Sequence, residues 1–312
     1  KSHGCENIHL YMPYLPNARQ DRVKSEEDVF TLKYFAGIIN SLGFKTVTVA
    51  LSGGADSVAL LYCLVSLKEE LGITVKAAHL NHLIRGEEAF SDENFVIKTC
   101  ESLGVELTVK RADVPKFSKE KGISTELAAR ILRYEFLESV AEGGVVATAH
   151  TASDNLETVI LNLARGSGIE GLSGIPPKRG IFIRPLIFCT RAMIEDYCEK
   201  NSLSFVTDST NLSDDYTRNK IRHEILPLLE TINPKSTVHI CSAAEKLSVV
   251  SAFIDREAEK LCRLSAVFFE KEVHILKFAF LQGNEVLRVP VLQKCVEYLT
   301  GSLANITEEH WN

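Results

Sequence analysis

A glycine pair set between two apolar runs of different character constrains this chain more than any other feature. Thr46–Ala50 (T-V-T-V-A) is β-branched and reads as a buried strand, whereas Val58–Leu67 is long and apolar and reads as a core helix. Leu51–Ser57, reading L-S-G-G-A-D-S, is therefore a strand-to-helix turn. Glycine there permits unusual backbone angles and lets a ligand approach the main chain without a Cβ in the way. The first turn of the helix aims unpaired N–H groups and its positive dipole end into the bend, which suits an anion. Ser52 and Ser57 add hydroxyls. Asp56 repels an anion, so it either holds Mg²⁺ bridging phosphates or caps the helix. No Gly-Lys-Ser/Thr follows, so this is not a Walker A loop.

The pattern continues as strand alternating with helix. Ile73–His79, Glu106–Lys110 and Val145–Ala149 read as strands; Ser91–Leu103, Ser124–Val140 and Ser153–Ala164 read as helices. This predicts an α/β fold with a doubly wound parallel sheet, whose ligands bind beyond the carboxyl ends of the strands. The glycine loop, a polar loop over Leu80–Phe90 and the segment His150–Glu157 all fall at such ends. A capped helix is expected over Ser25–Ile39, loop over Gly166–Gly180, a short strand over Ile181–Pro185 and a helix over Thr190–Asn201. After Pro227 one long helical pattern covers Ser236–Leu264, Val267–Lys277 fits strands or helix, and Val286–Leu299 is helical again. The boundary is placed near Pro227–Pro234. Residues 1–230 form a catalytic domain and 231–312 a smaller, mainly helical one.

At 312 residues and 45% hydrophobic the chain can bury a full core. No run approaches the ~18–20 uninterrupted apolar residues of a membrane span. Lys1–Asn7 lacks the apolar core of a signal peptide and reads as a trimmed or appended terminus, so a cytoplasmic protein is expected. Eight cysteines without a C-x-x-C pair read as buried thiols rather than a disulfide scaffold or a zinc or iron–sulfur site. With net charge −6, any RNA contact must come from local basic patches.

Four constellations carry candidate chemistry. Glu126, Arg130 and Arg133 share one stripe of a helix that is otherwise nearly all apolar, which predicts a helix buried except where it faces a cleft. There Arg130 or Arg133 neutralises phosphate, unless Glu126 and Arg130 merely pair for ~0.3–0.5 kcal/mol. His150, Asp154 and Glu157 share a helix-start face suited to Mg²⁺ or a cationic amine, although Thr151 with Asp154 also makes a capping box. His79, Asn81, His82 and Arg85 fit polar contact to nucleotide or RNA better than a metal. Arg165, Lys178, Arg179, Arg184 and Arg191 form one basic region, and Arg218, Lys220, Arg222 and His223 another; both suit a phosphate backbone.

Together these runs resemble the tRNA(Ile)-lysidine synthase family of PP-loop (N-type) ATP pyrophosphatases. The matching segments are S-G-G-A-D-S at Ser52, H-L-N-H-L-I-R-G at His79, E-L-A-A-R-I-L-R-Y at Glu126 and A-H-T-A-S-D-N-L-E-T at Ala149. R-G-S-G-I-E-G-L-S-G-I at Arg165, D-S-T-N at Asp208 and Y-T-R-N-K-I-R at Tyr216 follow in order. The resemblance spans about Thr46 to Pro227; Thr151 stands where the family commonly has a second His. It implies ATP-dependent attachment of L-lysine to C2 of the wobble cytidine in the CAU anticodon of tRNA(Ile). Ser52, Gly53, Gly54, Ala55, Asp56 and Ser57 would cradle ATP with help from His79 and Asn81. Asp56 and Asp154 would bind Mg²⁺, Asp154 and Glu157 metal or the lysine amine, and Arg130 and Arg222 would stabilise charge. Arg85, Arg165, Lys178, Arg179 and Arg218 would contact tRNA. The short C-terminal region implies that an extra tRNA-binding domain of longer members is missing, and a homodimer is left open. Rival readings are a tRNA thiolase, which needs paired cysteines, an amidotransferase-coupled enzyme, which needs an ammonia source, and a non-catalytic adenine-nucleotide sensor.

Overall fold

The computed structural model describes residues 44–84, 86–206 and 216–303. The helix expected over Ser25–Ile39, Arg85 and the D-S-T-N run at Asp208 lie outside them. The first half alternates strand and helix: β1 Thr46–Ala50, α1 Ala55–Leu71, β2 Thr74–Asn81, α2 Glu87–Leu103, β3 Glu106–Arg111, α3 Val114–Lys121, α4 Thr125–Ser139, β4 Val145–Ala147 and α5 Ala152–Ala164. A single turn, α6 Ile169–Leu172, leads to the hairpin β5 Lys178–Arg179 and β6 Phe182–Ile183, then α7 Arg191–Lys200. Helices α8 Tyr216–Lys220 and α9 Leu226–Ile232 flank a π-helical turn over Ile221–Ile225, and the long α10 Ser236–Ser265 follows. The chain continues through the hairpin β7 Ala266–Phe268 and β8 Val273–Ile275 to α11 Lys277–Gln282 and α12 Arg288–Thr300.

Six strands form one sheet in the order β3-β2-β1-β4-β6-β5, all parallel except β5 at the edge. β1 and β4 are neighbours in space, in register at Val47↔Val145 and Val49↔Ala147. From β1 the chain first builds outward through β2 and β3, then returns to add β4 and β6 on the other side. That reversal opens a crevice above β1 and β4. Val58, Leu60, Leu61 and Leu64 of α1 are wholly buried in the larger apolar cluster, with Val96 of α2 and Ile194 and Cys198 of α7. On the other sheet face Phe136 and Leu137 of α4 meet Ala78, Val146 and Phe182.

Several expectations need correction. β2 runs on to Asn81 and α2 begins at Glu87, so the polar loop is about half as long as the spacing predicts. The unforeseen α3 has signals visible in the sequence: Asp113 accepts the Lys116 N–H at 2.9 Å, Pro115 sits in the first turn, and Gly122 ends the helix at φ +64°. Helix α4 is not buried on most sides. Only Ala128, Phe136 and Leu137 are buried and Leu127 is 45% exposed, because the sheet face beneath it is narrow. Val267–Lys277 resolves into a hairpin and the start of α11.

The long helix α10 joins the two halves. Near its start Cys241 packs on Ala152 and Leu156 of α5; near its end Ala258, Leu261 and Cys262 pack on Val291 and Cys295 of α12. By length and composition alone α10 is also apolar enough to cross a membrane, although charged residues such as Glu245, Lys246 and Asp255 interrupt it. All seven cysteines among the described residues are free and buried, as their setting in apolar runs predicts.

Gly144 gives a test of the β1–β4 junction. A Cβ there would collide with the carbonyl of Thr46, a backbone atom at the start of β1. Gly144→Ala should cost about 1–3 kcal/mol, read as a lower urea midpoint; an unchanged midpoint would show that this close approach does not matter.

Candidate active site

The glycine loop is built by its own hydrogen bonds. Leu51 is buried and donates its N–H to the Ala78 carbonyl at 2.9 Å, and His79 Nδ1 lies 2.8 Å from the Leu51 carbonyl oxygen. Gly53 adopts φ +94°, a region L-residues avoid. The Ser57 hydroxyl oxygen accepts the N–H groups of both Ser52 and Gly53 at 3.2 Å and lies 3.0 Å from the Gly54 carbonyl. Across the top, the Val206 N–H donates to the Gly53 carbonyl at 2.9 Å. Gly54 is the N-cap of α1 and no side chain caps that helix start. Asp56 therefore does not cap; it sits in the first turn, and the amides of that turn have no intrahelical acceptor.

Over β4, Thr151 and Asp154 form the capping box. Asp154 Oδ2 accepts the Thr151 N–H at 2.8 Å and its hydroxyl at 2.9 Å. The other oxygen, Oδ1, turns toward Arg222 Nη2 at 3.7 Å. The capping box is thus present, and it leaves Oδ1 outside it. Glu157 is 2% exposed and both its oxygens are gripped by Arg222, Nε to Oε1 at 2.7 Å and Nη2 to Oε2 at 3.2 Å. Arg222 stands in the π turn. Pro227 has no N–H to give the carbonyl four residues back, and the Leu226 N–H reaches Ile221 instead, five residues back.

The electrostatics follow from this crowding. Burial lifts the Asp56 carboxyl from 3.8 to about 6, the Asp154 charge adds to the rise, and Arg191 and Arg222 oppose it. Burial likewise raises Glu157, against the pull of Arg222. His150 is pushed down to about 4, first by burial and then by Arg184, Arg133 and Arg130, with Asp154 opposing. It is neutral at physiological pH, and its Nδ1 lies 3.0 Å from the Thr148 hydroxyl. His150 feels both groups of charges, Asp154 on the one hand and Arg130, Arg133 and Arg184 on the other.

The remaining candidates divide. Arg130 forms no ion pair with Glu126 among the described residues; its guanidinium lies 5.2 Å over the Tyr134 ring, and it is not among the charges that act on Asp56. Asn81 is committed to scaffolding, donating to the Ala89 carbonyl at 3.0 Å and Glu93 at 2.8 Å and accepting the Leu83 N–H at 3.0 Å. His79, 5% exposed, likewise spends Nδ1 on the loop. Arg165 ends α5, about 16 Å along the helix axis from Asp154. Lys178 lies over the Phe44 ring, Arg179 lines a cleft beside α4, and exposed Arg218 is close enough to Glu157 and Arg133 to influence both. Sequence reading undervalued Arg184, which is 5% exposed, and Arg191, whose charge reaches Asp56.

No group of three metal-ligating side chains occurs among the described residues. Asp56 and Asp154 form a pair of mutually repelling carboxylates instead. That donor set fits Mg²⁺, a hard cation usually held by one or two carboxylates together with phosphate oxygens.

Comparisons with known proteins agree with this geometry. The sequence matches the PP-loop domain family over residues 29–229. The tRNA(Ile)-lysidine synthase of Clostridium acetobutylicum is 40% identical over 269 residues, covering 85% of this chain and 58% of that protein. That of Clostridium perfringens is 41% identical over 269 residues, covering 85% and 57%. That of Bacteroides thetaiotaomicron is 44% identical over 211 residues, covering 67% and 49%. The chain thus spans about half to three-fifths of the length of the curated relatives it matches. Among solved structures, the U34-tRNA thiolase NcsA from Methanococcus maripaludis with its 4Fe-4S cluster aligns with a TM-score of 0.55. It is 21% identical, over 70% of this chain and 78% of that one, a likeness of fold.

Two tests follow from the loop. Gly53→Ala forces a side chain into φ +94° and should cost about 1–3 kcal/mol of stability. Gly54 has φ −73°, and a Cβ there would meet nothing closer than Ser52 Oγ at 3.7 Å. Gly54→Ala should therefore melt like wild type yet bind ATP more weakly in calorimetry, and equal affinity would remove the loop from the nucleotide site. The second test is Asp56→Asn in metal-free buffer. A carboxyl raised from 3.8 to about 6 favours the fold while protonated and loses that contribution as pH rises through 6, on the order of 2–3 kcal/mol. The variant should be more stable than wild type at pH 8, with the difference vanishing toward pH 4.

Proposed function

Because this chain belongs to the PP-loop domain family, we propose that it uses ATP to attach lysine to C2 of the wobble cytidine of CAU-anticodon tRNA(Ile). One observation carries the reading. Asp56 after β1 lies close enough to Asp154 after β4 to feel its charge, and Arg222 acts on Asp56 and approaches Asp154 at 3.7 Å, in a chain 40–41% identical to lysidine synthases.

The glycine loop and the first-turn amides of α1 would take the phosphates of ATP. Mg²⁺, held by Asp56 and Asp154, supplies neutralising charge to those phosphates when bound. Arg222 would face the α-phosphorus while anchored by Glu157. The cytosine O2 attacks that phosphorus and the bond to pyrophosphate breaks. The lysine ε-amine, having shed a proton, then bonds to C2, the C2–O bond breaks, and AMP departs with the oxygen. Neutral His150 adds no positive charge to repel the incoming ammonium form. With both oxygens of Glu157 engaged by Arg222, Asp154 and Asp56 remain to orient that amine or accept its proton. Exposed Arg179 and Arg218 would meet the tRNA backbone, and the reading places the protein in the cytoplasm with its substrate.

The decisive assay is ATP-dependent incorporation of labelled lysine into CAU-anticodon tRNA. Wild type should release AMP and pyrophosphate in step with lysine, and Asp56→Ala should lose on the order of 100-fold in rate. Intact ATP binding with no lysine incorporation would instead favour a non-catalytic nucleotide-binding protein.

A further inference from the structure

Beside the reactive rim, on the β6 side of His150, an open cleft of about 560 Å³ runs between α4 and the β5–β6 hairpin. Arg130 and Arg184 stand at its rim end; Arg179 and a single acid, Glu138, line it farther down; Tyr134 and Phe182 form a wall between. Its volume is within the range of about 300–1,000 Å³ typical of small-ligand sites.

Arg184 is the unusual member. It is 5% exposed, its Nη1 donates to the Pro176 carbonyl at 2.7 Å, and its Nε is buried with no hydrogen-bond partner. Burial disfavours its charge, the neighbouring Tyr134 hydroxyl supports it, and Arg179 and Arg130, both of its own sign, oppose it. A buried cation with an unused donor and like-charged neighbours is costly unless an anion completes it. The flat surfaces beside it point to the rest of the ligand. The Tyr134 ring meets Phe182 edge to face at 4.8 Å, and the Arg130 guanidinium lies over Tyr134 at 5.2 Å. Aromatic rings and guanidinium planes are the surfaces on which unstacked bases of single-stranded RNA rest.

We propose that this cleft holds an unstacked nucleotide of the RNA substrate, its phosphate on Arg184 and Arg130 and its base against Tyr134. The inference rests on the reading of the rim as an RNA-modifying centre and adds the place where the strand is gripped. The triphosphate and the RNA would then occupy different parts of the rim, with His150 in the field of the cleft's Arg130 and Arg184. Arg179, at the end of β5, continues the basic track along which the strand leaves.

The test uses the full chain, a fluorescent RNA stem–loop with a CAU anticodon, and the variants Tyr134→Ala, Arg179→Ala and Arg184→Lys. Anisotropy should show Tyr134→Ala and Arg179→Ala weakening stem–loop binding by about tenfold or more, while calorimetry shows ATP affinity unchanged. Arg184→Lys keeps the charge but loses the planar fork, and should weaken it comparably; if it fails to fold, the other two still decide. CMP should compete with the stem–loop better than inorganic phosphate does. Stem–loop affinity insensitive to Tyr134 overturns the proposal, since a sequence-blind basic patch would respond to Arg179 alone. A loss of ATP rather than RNA affinity in Tyr134→Ala also overturns it, assigning the cleft to adenine. The ligation reading fails separately. Wild type that grips RNA through this cleft yet incorporates no lysine sinks that reading alone, and lysine transfer with variants of wild-type RNA affinity sinks the cleft alone.

Discussion

A carboxylate with almost no access to solvent, gripped by a guanidinium 65 residues further along the chain, ties the rim of the sheet to the helices that follow it. The Glu157–Arg222 pair is poor evidence of stabilisation in its own right. Removing two charges from water costs several kcal/mol per ion, and apolar replacements of such pairs are often as stable or more so. Breaking one partner is another matter, at about 3–5 kcal/mol, because the other charge is then stranded. The pair makes better sense as a positioning device. It fixes the Arg222 side chain where its Nη2 also approaches Asp154, and Pro227 supplies the π turn that delivers the arginine there.

The same crowding explains why the rim is strained. Burial and then the charge of Asp154 lift the Asp56 carboxyl to about 6, with only Arg191 and Arg222 to offset them. A site optimised for the empty protein would place an amide at one of these positions. Carboxylates kept at a cost are what an incoming cation needs, whether a metal travelling with phosphates or an ammonium group. His150 shows the opposite tuning, held neutral among arginines.

Much of this was legible before any coordinates. β1 was exact to the residue, and the glycine loop and Asp154 follow the carboxyl ends of adjacent strands as the alternation of strand and helix required, whereas Arg222 reaches them from a π turn and was assigned to the site only through the family resemblance. What misled was side-chain direction. Asn81 and His79 are polar residues at a strand end, the usual mark of a binding position, yet both turn inward and spend their hydrogen bonds on the backbone and Glu93. Arg184 is the converse: within a basic run it resembled a solvated residue, and only the packing of Pro176 and Phe182 around it makes it a buried cation. Helix α4 misled through its composition. Period and apolarity foretold its inner face, but not that the narrow sheet face would leave Leu127 exposed.

The cysteines bear on the choice between ligase and thiolase. Fold likeness to a tRNA thiolase cannot decide it, since the shared architecture supports more than one chemistry. A thiol that carries sulfur or binds a cluster must ionise, which requires an exposed or electropositive setting. Here burial pushes Cys63 up to about 12 and Cys100, Cys241 and Cys295 to about 11. Cys198, whose Sγ lies 3.9 Å from the Ala55 carbonyl, is also raised, first by burial and then by the charge of Asp56. The thiol packed against the glycine loop is thus held in its protonated form by burial first and by the neighbouring acid second. Among the described residues the loop is flanked by carboxylates and arginines rather than by an ionisable thiol, the setting the proposed ligation calls for.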